Sequence, residues 1–236
     1  MNINQKHPGN LKTIIVFLIT IIVGFILFVI PNLFFGITEF NGGLKGINLF
    51  YMALFQLLTV VPLIYYSLKV LNKKPKYIGW TNKKWKSDAL LGIIVGLLWA
   101  GLQTLWIIPY TGGAERPDIS QMVEMINGSK EGLLSYLFLG IVGGGIVEEI
   151  YHRGFFISIL KSTFKNPKIG LWVSAILAVI FFALVHLPDS TLDWFDILVP
   201  SIAYTLLFVF TKRLTASIIA HGIYNMTVII WGFQTY

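Results

Sequence analysis

Seven runs of apolar residues, each close to or above the length a helix needs, divide this chain. They lie at roughly 13–31, 49–69, 88–109, 132–160, 169–187, 197–211 and 214–234. A helix crosses the hydrocarbon core of a bilayer with about 20 apolar residues. The pattern therefore predicts an all-α, polytopic transmembrane helix bundle of about seven spans. Between the third and fourth runs, Ile119, Met122, Val123 and Ile126 recur at helical spacing. They predict a short amphipathic helix outside the bilayer, opened by Asp118 and Gln121 as a capping box. Pro62 is expected to kink the second span, and Pro200 to sit near the start of the sixth, where proline is tolerated.

The polar residues between the runs orient the bundle. Lys6 and Lys12 precede the first run. Lys69, Lys73, Lys74, Lys76, Lys83, Lys84 and Lys86 cluster about the second loop. Lys161, Lys165 and Lys168 follow the fourth run, and Lys212 and Arg213 separate the last two. The alternate loops hold only Lys45, Arg116 and Lys130, with the acids Glu39, Glu115, Asp118, Glu124, Glu131, Asp189, Asp193 and Asp196. By the positive-inside rule the N-terminus is expected in the cytoplasm and the C-terminus outside. Lys6 and Lys12 before an apolar run also resemble a signal peptide, but Thr13–Ile30 is too long for one and no small-residue cleavage site follows, so a retained first span is expected. Trp80 and Trp85 among lysines fit either a segment lying in the cytoplasmic interface or a solvated loop.

Composition agrees. The 236 residues are 56% hydrophobic and 12% charged, against roughly 25% charged in soluble domains. The excess of Lys and Arg over Asp and Glu lies in loops between spans, so no nucleic-acid partner is inferred; the lipid bilayer is the expected surroundings. Without cysteine, disulfides, thiol nucleophiles and Cys-ligated zinc are excluded. No repeat or linker divides the chain. Residues 1–131 carry the N-terminal spans and loops, and 132–236 form a helical core within the same structural domain. Oligomeric state and lipid-binding motifs are unreadable. The Lys-, Ile- and Asn-rich composition points to a bacterial plasma membrane.

The fourth run contains the chemistry. Glu148, Glu149 and Arg153 fall within six positions of an apolar segment, where one charge at mid-bilayer costs about 2.5–3.5 kcal/mol. Glu149 and Arg153, at i and i+4, can neutralise each other as a structural pair. Glu148 lies about 100° further round the helix and needs partners elsewhere. Phe182 and His186 on the fifth span, and His221 and Asn225 on the seventh, offer them. The interiors of the spans hold no other lysine, arginine or acidic residue, so convergence on one site is expected. Gly140 and Gly144 form a small-residue pair that admits a close neighbour, and the Gly143–Gly145 run is expected to loosen the helix before the glutamates. Glu148 and His186 stand equally far from Pro167, which puts them at similar depth. On straight helices His221 would sit about 10 Å nearer the cytoplasm. A protruding four–five hairpin or a tilted seventh helix would close that gap.

Glu-Glu-x-x-x-Arg (Glu148, Glu149, Arg153), Phe-x-x-x-His (Phe182, His186) and His-x-x-x-Asn (His221, Asn225), in that order on separate spans, resemble the motifs of the CPBP family. These are CAAX proteases and bacteriocin-processing proteins, also called Abi or Rce1-like intramembrane endopeptidases. The resemblance covers 132–234. It implies a protease acting on a peptide or protein substrate at the membrane by an activated water, of CAAX, bacteriocin-leader or signalling-peptide type. It implies Glu148 as general base, His186 as a second holder of the water, His221 and Asn225 as oxyanion donors, and Glu149, Arg153 and Phe182 as support. His152 lies between motif positions and reads as a local hydrogen-bonding group. No cofactor or metal is implied, although Glu and two His can also bind zinc. A polar cavity reaching Glu148, open toward the cytoplasm, is expected. A zinc-dependent protease, a proton-coupled transporter using Glu and His as relays, and a non-catalytic membrane adaptor remain alternatives.

Overall fold

The structure, a computed structural model, describes residues 8–236. Lys6, counted above toward orientation, lies outside them. Seven helices are long and apolar enough to span a membrane: α1 (Pro8–Thr38), α2 (Ile47–Val70), α3 (Trp85–Tyr110), α5 (Lys130–Lys161), α6 (Pro167–Val185), α7 (Thr191–Thr211) and α8 (Thr215–Thr235). The short helix α4 (Pro117–Ile126) precedes α5. No strand occurs among the described residues. With the outward faces of α1, α3 and α6 covered in exposed Leu, Ile, Phe and Trp side chains, this is a multi-pass membrane protein.

Helix α8 is the centre of the bundle, packed against α3, α5 and α7, while α5 also packs on α2 and α6. The α3–α8 contact is backbone on backbone. A methyl group at Gly92 would lie 2.6 Å from the Ala216 carbonyl oxygen, and one at Gly96 the same distance from that of Ala220. Helices in lipid gain little from burying apolar surface and associate through such close approaches. The expected Gly140/Gly144 pair works differently. Gly140 and Gly144 make room for the side chains of Ile229, Asn225 and His221, and the near-contact of backbones is Gly145 on Gly222.

Three local expectations need correction. The sixth span begins at Thr191, six residues early, because Ser190 and Asp193 form a reciprocal capping box. Asp193 and Asp196 are therefore on the helix, and Pro200 lies in its interior. At α4 the cap is Arg116, with no side-chain cap bond; Asp118 is held by Arg116 instead of closing the helix. Ile119, Met122 and Ile126 are buried as predicted. The third concerns Asp88, left out of the acids above: it is buried near the start of α3 and receives two hydrogen bonds from Arg213 at 2.5 and 2.7 Å.

The fourth span does loosen at its glycines. From Leu139 to Ile157 it is wound with wider, π-type turns, a geometry that ordinarily lasts a single turn and clusters at functional sites. The depth problem is met by the hairpin. Gly154 lies against the Ile78 carbonyl and the Leu214 side chain, with a methyl there falling 3.2 and 3.3 Å from them. Leu214 opens α8, so the remainder of α5, to Lys161, projects past that level by about 10 Å.

Gly96→Ala should lower the unfolding temperature in detergent, with overpacking costing about 1–3 kcal/mol. Gly101→Ala on the same helix, where nothing stands within 4 Å, should be stabilising by about 0.5–1 kcal/mol. Thermal unfolding of the two variants side by side checks the α3–α8 contact.

Candidate active site

Glu149 has no exposed surface and Arg153 is 1% exposed. Their closest approach is 2.9 Å, from Nη1 to Oε1. The same Oε1 stands 3.0 Å from Nδ1 of His221 on α8. Arg153 donates from Nη2 to the Ser201 hydroxyl of α7 at 2.9 Å, and its guanidinium carbon sits 4.3 Å above the centre of the Phe182 ring of α6. One carboxylate and one guanidinium thus tie α5 to α6, α7 and α8. The expectation of a structural Glu149–Arg153 pair agrees with this geometry, and the pair reaches further than one helix face.

Glu148 points the other way. With Phe182, His186, His221 and Asn225 it lines a cavity of about 410 Å³ between α5, α6, α7 and α8. Glu148 and His186 also line a smaller cavity of about 170 Å³ whose far wall comes from α1 and α2, including Asn32 and Gln56. The four sequence-predicted residues on three helices are brought to one space. His186 ends α6, its Nδ1 2.7 Å from the Phe182 carbonyl oxygen. The Asn225 Nδ2 donates to the Gly140 carbonyl at 2.8 Å. A methyl on Gly144 would lie 2.7 Å from Asn225 Nδ2 and 3.4 Å from His221 Nε2, so both nitrogens face that bare backbone. His152 Nδ1 stands 3.1 Å from the Glu148 carbonyl oxygen, the local bond expected of it, and its ring lines the smaller cavity.

The opening expected on the lysine-bearing side is not where the larger cavity leads. Its rim carries Asp118 and Asp196, at the acid-bearing end. At the lysine-bearing end Gly154 packs against Ile78 and Leu214, and Arg213 pairs with Asp88. At the rim, Arg116 bonds Asp118 at 2.8 Å and Asp196 at 2.6 Å, and Gln103 donates to Asp196 at 2.6 Å. Burial opposes the Arg116 charge, but the hydrogen bonds it donates to Asp118 and Asp196 overcome it and raise its pKa above the ordinary arginine value. Lys45 across the same end holds the Glu124 carboxyl below its usual value by hydrogen bonding.

Sequence reasoning missed Ser201 and Tyr204. Both are buried on α7; Tyr204 stacks on His221 with ring centres 4.9 Å apart. Their signal was polar atoms, four helical positions before Thr205 and next to it, on an otherwise apolar run. Among the described residues no group of three or more His, Asp or Glu side chains is placed to hold a metal ion.

Residues 130–227 match the model of a protein family, the Rce1-like type II CAAX prenyl endopeptidases. Over that segment the chain is similar to the Rce1-like family. Its matched segment runs from the start of α5 to two residues past Asn225 and holds all three motifs. The Rce1-like family is one of proteases, hydrolases of peptide bonds, and lies within the CPBP class. No curated protein and no solved structure matches the chain.

Arg153→Met should cost about 3–5 kcal/mol, since it leaves Glu149 buried and uncompensated. Arg153→Met combined with Glu149→Gln should cost less than Arg153→Met alone. Chemical or thermal unfolding of both variants tests whether the pair is a charge-balanced unit.

Proposed function

We propose that the chain is a membrane-embedded endopeptidase in which Glu148 activates a water for attack on a peptide carbonyl. The observation that carries this reading is the single cavity lined by Glu148, His186, His221 and Asn225. Its catalytic core is 132–236, and its setting is a plasma membrane with the lysine-bearing loops in the cytoplasm.

Hydrogen-bond partners support a definite proton arrangement. The Phe182 carbonyl can only accept, so His186 carries its hydrogen on Nδ1 and presents a lone pair at Nε2. The Glu148 carboxylate is also an acceptor. One water can donate a hydrogen to each, leaving oxygen lone pairs free for the substrate. As the water oxygen bonds to the carbonyl carbon, Glu148 takes the proton. It returns that proton to the amide nitrogen as the carbon–nitrogen bond breaks.

Charge then develops on the former carbonyl oxygen. Asn225 gives one Nδ2 hydrogen to Gly140 and keeps the other for this oxyanion. His221 faces the Glu149 carboxylate through Nδ1, so that nitrogen bears a hydrogen. Donation from Nε2 as well requires the imidazolium. In that form Glu148 and Glu149 against Arg153 and His221 would sum to zero charge.

The test uses the purified chain in proteoliposomes with prenylated and unprenylated C-terminal peptides, products being read by mass spectrometry. Glu148→Gln should lose cleavage by about 10²–10⁴-fold with an unchanged or raised unfolding temperature. Asn225→Ala should lose about 10²–10³-fold, mostly in kcat. Cleavage by Glu148→Gln at the unaltered rate would remove Glu148 as base. Substrate-driven proton flux without cleavage would replace the protease reading with a transporter.

A further inference from the structure

At the end of the bundle away from the active-site rim lies a cavity of about 700 Å³. Lys73, Lys74, Lys76 and Lys83 reach it from the loop after α2, Lys161 from the end of α5, and Lys212 from the end of α7. No carboxylate lines it. The nearest acid on this side, Asp88, is already taken by both nitrogens of the Arg213 fork. Lys73 lies 3.6 Å over the Tyr77 ring, and none of the six lysines is in an ion pair among the described residues.

A topology signal needs lysines in this set of loops but does not need them gathered. Here three loops that are remote in sequence converge. They are locked together by the Leu214 N–H donating to the Gly79 carbonyl at 3.0 Å and by Gly79 in a left-handed turn, φ 81°, pressed on Phe208 and Arg213. Six like charges held around one space repel each other unless an anion sits among them. The floor is apolar, made by Ile157, Leu171, Phe208 and Val209. Exposed Trp80 and Trp85 flank the lysine loop, and such rings favour the headgroup layer of a bilayer.

We propose that this cavity binds the phosphate headgroup of an anionic phospholipid, with the first acyl carbons on the apolar floor. A basic pocket between the ends of spanning helices is a general form of headgroup recognition. A free phosphate would satisfy the lysines but has no use for the floor, and a lipid uses both. Occupation would clamp the α5–α6 hairpin, the α2–α3 loop and the C-terminus of α7 to one another.

The full chain, reconstituted in nanodiscs of phosphatidylcholine with or without phosphatidylglycerol, tests this by native mass spectrometry and thermal unfolding. The unaltered chain should retain phosphatidylglycerol and gain several degrees of unfolding temperature from it. Lys76→Gln/Lys212→Gln, and separately Lys74→Gln/Lys83→Gln, should cut retention at least about 5-fold and lose the thermal gain. Lys130→Gln, at the other end, should change neither. Equal phosphatidylglycerol retention by the unaltered chain and both double variants would overturn the proposal. So would displacement of the lipid by millimolar inorganic phosphate, which would make the site a free-anion site. Because no readout is cleavage, the outcome is independent of the protease reading.

Discussion

The bundle depends on a buried charge that it cannot leave alone. Glu149 has no contact with solvent, and a carboxylate in that position is tolerable only with cations and donors around it. Arg153 comes from the same helix, His221 from α8, and the Ser201 and Phe182 contacts to Arg153 from α7 and α6. Satisfying one side chain therefore fixes the rotation of four helices. That is a stronger constraint than apolar packing, because helices in lipid can slide over one another at little cost while a misaligned ion pair cannot be relieved by water.

The same constraint explains the shape of α5. Its two glutamates are adjacent, yet one must face the ionic cluster and the other the cavity. Gly140, Gly143, Gly144 and Gly145 strip the preceding turns of side chains, so that Asn225, His221, Gln56 and the backbone of Gly222 can come close. The wider winding from Leu139 to Ile157 occurs where four glycines impose little rotamer or steric preference for the tighter α form. The protruding end of the hairpin then lets Glu149 and His221 meet although their sequence positions alone put them at different heights.

Much of this was legible in the sequence, for physical reasons. Hydropathy finds spans because a bilayer demands length and apolarity, and all seven were placed that way. The motif residues stood out because ionisable groups in apolar helices are costly enough to be rare. What stayed hidden was set by contacts between distant segments. Asp88 pairs with Arg213, which is remote in sequence, and nothing local to either residue signals the other. Asp118 read as a helix cap, but a buried guanidinium between two acids outcompeted the backbone for it. Gly92 and Gly96 carry the same spacing as Gly140 and Gly144, and spacing cannot say which pair meets backbone and which meets side chains. The sixth span began early because a Ser190–Asp193 capping box lets a helix start in polar residues that a hydropathy window discards.

The division of labour between the two glutamates follows from what each lacks. Glu149 has cations at hand and no access to the cavity, so it can fix the His221 ring but has no water to act on. Glu148 lines two cavities and is in no ion pair among the described residues. A base must be able to gain and lose a proton during turnover, and one oxygen of Glu149 is held by both Arg153 and His221. On the proposed reading, the chemistry falls to the glutamate with the fewer partners. It also gives a reason for the pair to be adjacent: the fixed charge steadies, one residue away, the group whose charge has to change.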